Sequence, residues 1–246
     1  MAELVTKKII QSGDIVEVYE YSSGYLKGYE SKGSGGRISG ERSDAYEDNR
    51  KKHLKRAKAN LRRIINANVG QYGEEFTSKF LTLTFSRNIT DLCYANSQFT
   101  KFIKRLNYKI FNTKVSNLKY TAVVEFQKRG AIHYHVILYN IPYIKADEVS
   151  QIWGNGFIKI NRIDSISNVG AYLAEYLGGD EDEKRLEGRR SYFSSRGLMK
   201  PLEITNRKIV ETVGAALPLE KMIYSATYEN EHLGQISYKQ YNLKTE

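Results

Sequence analysis

Hydrophobic positions recur along this chain with two different periods, and the switches between the periods mark its elements. Residues 4–21 alternate apolar with polar around Ser12-Gly13-Asp14, which predicts two strands and a turn. From about Ser43 to about Asn68 the period lengthens. Leu54, Ala57, Leu61, Ile64, Ile65 and Val69 fall three and four apart, the stripe of an amphipathic helix. Ser43 is its predicted N-cap, and Asp44 and Glu47 sit in the first turn, where the helix dipole favours acids. Phe80-Leu81-Thr82-Leu83-Thr84-Phe85 is a short β-run closed by Ser86-Arg87-Asn88. Residues 91–109 return to helical spacing, with Leu92, Phe99, Phe102, Ile103 and Leu106 on one face. Residues 120–127 and 132–139 are rich in β-branched and aromatic side chains and flank Lys128-Arg129-Gly130, so they read as a hairpin. Pro142 ends it. A helix over 146–153, a turn at Gly154-Asn155-Gly156 and a strand over 157–163 follow. Asn168 is placed to cap a helix over 169–177, stopped by Gly178-Gly179. A last hairpin pairs 222–228 with 235–241.

The order β, α, ββ, α, β predicts an α+β fold, a central antiparallel sheet with helices packed on one face. The Gly/Ser-rich stretch 31–43 reads as a flexible linker. The expected organisation is therefore N-terminal strands and linker over 1–43, a main domain led by a basic helix over 44–205, and a C-terminal extension with a hairpin over 206–246.

Composition sharpens this picture in three ways. At 246 residues, 41% hydrophobic and 27% charged, the chain can bury a core and is not of the disordered class. The net charge of +10 points to a polyanionic partner. Much of that charge lies on the first helix, where Arg50, Lys51, Lys52, Lys55, Arg56, Lys58, Arg62 and Arg63 carry no acid among them. A helix face that basic is costly unless something negative meets it. Arg50, Lys51, Lys55, Arg56, Arg62 and Arg63 are accordingly candidate DNA-phosphate contacts. The single cysteine, Cys93, cannot form an internal disulfide, no apolar stretch is long enough to span a membrane, and the opening residues lack the core of a signal peptide. A cytoplasmic protein without membrane contact is expected. The sequence contains no Gly-x-x-x-x-Gly-Lys-[Ser/Thr] phosphate loop and no internal repeat.

Candidate chemistry concentrates in the central hairpin. Two of the four histidines form His133-Tyr134-His135. On a strand, residues two apart share a face and lie about 7 Å apart. The partner strand offers Glu125, or Gln127, as a third ligand, and two histidines with a carboxylate leave coordination positions open for substrate oxygens. Tyr172 and Tyr176, one turn apart, project from one face of the following helix. Tyrosine is an uncommon nucleophile whose best-known use is phosphodiester transesterification, and a divalent metal, Mg²⁺ or Mn²⁺, suits that work.

These motifs resemble those of the HUH endonucleases, in the same order. Phe80 to Phe85 looks like their first motif, and His133-Tyr134-His135 like the His-hydrophobic-His motif with an acidic ligand at Glu125. Tyr172-x-x-x-Tyr176 looks like the two-tyrosine motif. More narrowly, Glu125-Phe126-Gln127-Lys128-Arg129-Gly130, Trp153-Gly154-x-Gly156 and Ser195-Arg196-Gly197-Leu198 are similar to the rolling-circle replication initiators of small bacterial plasmids and phages. The resemblance covers roughly 45–205. It implies a ferredoxin- or RRM-like nuclease core, a metal held by His133, His135 and Glu125, and nicking and rejoining of single-stranded or stem-loop origin DNA through a 5′-phosphotyrosine. Tyr176 is the expected first nucleophile and Tyr172 the second. A host helicase and DNA polymerase are the implied partners in a bacterial cytoplasm. One departure stands out: family members carry a lysine three residues after a motif tyrosine, where this chain has Glu175 and Gly179. A relaxase or single-strand transposase of the same superfamily, and a non-catalytic nucleic-acid-binding module, are the alternative readings.

Overall fold

The computed structural model describes residues 3–28, 44–163, 169–176, 186 and 192–244. The linker 31–43, the caps expected at Ser43 and Asn168, the stop at Gly178-Gly179 and most of the charged loop 180–190 lie outside these. The chain forms two compact units, Met1–Ala57 with Lys200–Glu246, and Lys58–Met199.

In the first unit, β1 (Glu3–Ser12) and β2 (Ile15–Lys27) form the expected hairpin. β8 (Leu202–Ile204) pairs with β1. β9 (Met222–Asn230) and β10 (Gly234–Asn242) form the C-terminal hairpin, and β10 pairs with β2. The segments at the two ends, separate in the sequence reading, thus share one antiparallel sheet in the order β8-β1-β2-β10-β9. One face of it packs Ile9, Val16, Val18 and Tyr241 against Val210 of a helix, α5 (Arg207–Ala216). The other gathers tyrosines: the Tyr19 and Tyr238 rings lie 4.9 Å apart, and both hydroxyls donate to the buried Glu17 carboxylate.

The second unit is built on β3 (Thr77–Leu83), β4 (Tyr120–Phe126), β5 (Ile132–Ile141), β6 (Ile158–Arg162) and β7 (Tyr192–Ser194). The sheet is antiparallel, ordered β6-β3-β5-β4-β7, so the histidine strand is central. The α+β class holds. Alternation along β5 divides its side chains between two cores. Tyr134, Val136 and Leu138 meet Phe99, Phe102 and Leu106 of α2 (Leu92–Phe111) and Val149 and Trp153 of α3 (Ala146–Trp153). Ile137 and Tyr139 meet Leu61 and Ile65 near the end of α1 (Asp44–Asn66) and Val169 and Leu173 of α4 (Val169–Glu175). Helices α2 and α3 therefore cover one face, and the end of α1 with α4 packs on the face that carries the histidines.

Local chemistry explains several boundaries. Asp91 caps α2, its Oδ1 accepting from the Cys93 and Tyr94 amides at 2.8 and 3.3 Å. The hairpin turn closes through the Gln127 amide on Ala131 O at 2.9 Å, with Gly130 at φ +84°. After α3, the Trp153 indole N–H donates to Thr84 O at 2.8 Å, and the Ser86 amide to Asn155 O at 2.9 Å. This clamps the turn 154–156 onto the end of β3. A Cβ on Gly156 would lie 2.5 Å from Thr84 O and 2.6 Å from Ser86 N, both backbone atoms. Gly156→Ala is therefore expected to cost about 1–3 kcal/mol, the usual range for overpacking. The measurement is the midpoint of urea unfolding, and an unshifted midpoint would show that the clamp relaxes freely.

Candidate active site

The site lies on the α4 side of the second unit's sheet. Strand pairing fixes its frame: Glu125 is opposite His133, and His135 lies between Val123 of β4 and Thr82 of β3. Directly opposed residues share a face, so Glu125, His133, His135 and Thr82 all project to the same side. His135 is 5% exposed, and a polar ring so buried must find partners. Its Nε2–H donates to Glu125 Oε2 at 2.7 Å, and the Thr82 hydroxyl lies 3.3 Å from Nδ1. The bond from His135 holds the Glu125 carboxyl below the usual carboxylate range against the opposing effect of burial. Burial lowers the pKa of His133, partly offset by Glu125. It is Glu125 that reaches the imidazole, while Gln127 belongs to the hairpin turn.

Helix α4 brings the tyrosines to this face. Its seating depends on Gly170, whose amide donates to Asn66 Oδ1 at 2.9 Å and where a Cβ would collide with the Arg62 carbonyl of α1. Only a glycine permits that approach. Leu173, fully buried one turn from Val169, anchors the same contact. The Tyr176 ring then stacks on His135, centroids 3.8 Å apart at 24°. Its hydroxyl lies 2.9 Å from that of Tyr172, and Phe80 packs within 5.4 Å of the Tyr172 ring and 6.0 Å of the Tyr176 ring. Burial, then the bond to Tyr172, then the carboxylates of Glu125 and Glu175, push the Tyr176 phenol up to about 12.

The structure thus brings together Tyr172, Tyr176, His133, His135 and Glu125. Among the described residues, no group of three or more His, Cys, Asp or Glu side chains stands in a metal-holding arrangement, and the His135 Nε2 and Glu125 Oε2 atoms are engaged with each other. On the basic helix, Lys51, Lys55 and Arg56 are exposed, Arg62 and Arg63 are half-buried, and the Arg50 side chain lies outside the described part. Two residues on the site face were not singled out from the sequence. Thr82 is legible in retrospect from the alternation of Phe80 and Thr82 against buried Leu81 and Leu83. Lys159 is placed by pairing alone: it lies opposite Thr82 on β6, so Lys159, Thr82 and His135 form one rung across three strands. It is exposed, the nearest structural counterpart to the lysine missing after the tyrosines.

Comparison with known proteins matches residues 78–181 to a family model described as replication-associated protein, of the ORF2 type. That stretch is similar to replication-associated proteins. It covers under half of the chain and spans β3 through α4, the elements that build the site. No curated protein and no solved structure matches the chain. No helix among the described residues is long and apolar enough to cross a membrane.

Thr82→Val keeps the shape of the side chain and removes its hydroxyl. Leaving the buried His135 Nδ1 without that partner is expected to cost about 1–3 kcal/mol. Chemical unfolding at neutral pH measures it, with Thr84→Val, an exchange outside the His135 rung, as the comparison. Equal losses in the two variants would count against a specific bond to His135.

Proposed function

We propose that the second unit nicks and rejoins single-stranded DNA at a replication origin, as a rolling-circle initiator. The observation that carries this reading is the Tyr176 ring stacked 3.8 Å from His135 with the Tyr172 hydroxyl 2.9 Å from its own. The reading is further supported by the similarity of 78–181 to replication-associated proteins and by the net charge of +10.

In this reading the Tyr176 oxygen attacks the scissile phosphorus, the P–O3′ bond breaks, and the departing 3′ oxygen takes the proton that the phenol gives up. The enzyme keeps the 5′ phosphate as a tyrosine ester, so bond energy is conserved and the strand can be resealed. The free 3′-hydroxyl serves as a primer for a polymerase, and unwinding falls to a host helicase. Tyr172 takes the second strand when replication ends. A phenol at about 12 resists ionisation at neutral pH, so its proton must leave during attack. Lys159 supplies positive charge beside the phosphate, where negative charge grows in the transition state.

The donor set fits a divalent cation held by His133, His135 and Glu125, such as Mg²⁺ or Mn²⁺, which would supply polarisation of the phosphate oxygens. Seating it requires that the His135–Glu125 hydrogen bond open and that His135 turn its proton to Nδ1. Thr82 accommodates both states, because a hydroxyl can donate to Nδ1 or accept from it.

The test is a denaturing gel of a labelled origin oligonucleotide followed by peptide mapping. Tyr176→Phe should yield no covalent adduct, whereas Tyr172→Phe should form one in a single nicking event and fail in the terminating transfer. His133→Ala and His135→Ala should abolish cleavage with the fold intact. Lys159→Ala should slow cleavage by roughly ten- to a thousandfold, the scale for removing one transition-state charge contact. An adduct mapped only to Tyr172 reverses the two roles, and full cleavage by the double tyrosine variant removes tyrosine from the mechanism.

The basic helix contributes affinity rather than choice of sequence. Neutralising the exposed Lys51, Lys55 and Arg56 should weaken binding to all DNAs alike. The slope of log affinity against log salt should fall by about 0.7 to 0.9 per lost contact. An unchanged slope would assign these charges to solvent.

A further inference from the structure

Strand β9 is the long edge of the first unit's sheet. Among the described residues it pairs only with β10, and the sheet's other edge, β8, is a three-residue strand. Every β9 residue except Ala226 is exposed. Its large side chains stand in solvent, Tyr224 at 55%, Ile223 at 47% and Tyr228 at 45% exposure. Edge strands are normally blunted by lysine, proline or an inward charge. Met222-Ile223-Tyr224-Ser225-Ala226-Thr227-Tyr228-Glu229-Asn230 has no lysine, arginine or proline, and its one charge is at the penultimate position. The register slips between Tyr224 and Met222, so the flat edge begins at Tyr224. An exposed edge of that length and composition presents unpaired amides and carbonyls to another strand.

The sequence of this edge indicates which strand. Tyr224-Ser225-Ala226-Thr227-Tyr228 reads nearly the same in both directions. Two copies laid antiparallel about Ala226 place Tyr224 opposite the second copy's Tyr228, Ser225 opposite its Thr227, and Ala226 opposite Ala226. Aromatic pairs and Ser–Thr pairs are among the favourable cross-strand combinations. The two-fold arrangement makes each pair twice, as an isologous interface requires. It also extends a row already present, since the Tyr224 ring lies 5.9 Å from Tyr238 and Tyr238 lies 4.9 Å from Tyr19. We infer that β9 pairs with the β9 of a second copy of this chain, centred on Ala226, to form a ten-stranded sheet. Stable interfaces engage about 20–30 residues a side, and one strand offers far fewer, so the dimer is weak and concentration-dependent. The inference stands apart from the nicking chemistry and survives its failure.

Sedimentation velocity of the full chain, from nanomolar to high micromolar concentration, tests it. The wild type should pass from monomer to dimer. Tyr224→Lys/Tyr228→Lys, which sets like charges opposite each other twice, should weaken association by at least roughly tenfold. In a Cys93→Ser background, Ala226→Cys should give a disulfide-linked dimer under mild oxidation, because directly opposed Cβ atoms lie close to disulfide distance. This arm decides the matter if the lysine variant does not fold. A wild type that stays monomeric at all concentrations overturns the inference. So does a dimer undiminished by the folded lysine variant, or an Ala226→Cys thiol that reacts freely with a small reagent but never cross-links.

Discussion

The second unit depends on the two-sidedness of β5. A central strand covered on both faces must satisfy every side chain it carries, and β5 sends Tyr134, Val136 and Leu138 one way and His133, His135, Ile137 and Tyr139 the other. The apolar side fixes the register, because a slip of one residue would put His135 under α2 and Val136 among the tyrosines. Register in turn sets the polar pairing: only in this alignment do Thr82 and Glu125 bracket the imidazole from neighbouring strands. The precision of the site is inherited from a hydrophobic core on the far side of the sheet.

The tyrosines rest on a different kind of constraint. Helix α4 has seven residues, too few to be stable alone, so packing must hold it. Gly170 against the Arg62 carbonyl and Leu173 in the core supply that packing. Phe80 then fills the space beneath both phenols. The end of the basic helix is therefore also the seat of α4, which ties a surface rich in positive charge to the placement of the candidate nucleophiles within one unit.

Much of this second unit was legible in the sequence, since its elements are marked by local signals. The alternation of 132–139, the helical stripe of 91–109 and the Gly154-Asn155-Gly156 turn correspond to elements found within a few residues of their predicted places. The His-x-His pair and the i, i+4 tyrosines likewise converge where strand and helix geometry put them. What escaped the sequence is set by distant pairing. Nothing near residue 20 announces that β2 will accept β10 more than two hundred residues later, so the terminal strands read as separate segments. Lys159 joins the rung of His135 only through the β3–β6 register. Helix α5 buries only Val210 among its ten residues, leaving no stripe to detect. Strands β7 and β8 are three residues each, shorter than any reliable alternation.

The hydrogen bond between Tyr172 and Tyr176 makes the two phenols unable to ionise together. They hold two protons between them, and one lies on the line joining the oxygens 2.9 Å apart. Removing either proton leaves an anion that the remaining hydroxyl can solvate directly. Removing both would set two negative oxygens against each other with no donor between them. The second ionisation is therefore suppressed by the first, and two chemically identical side chains, one turn apart, are made to act in succession.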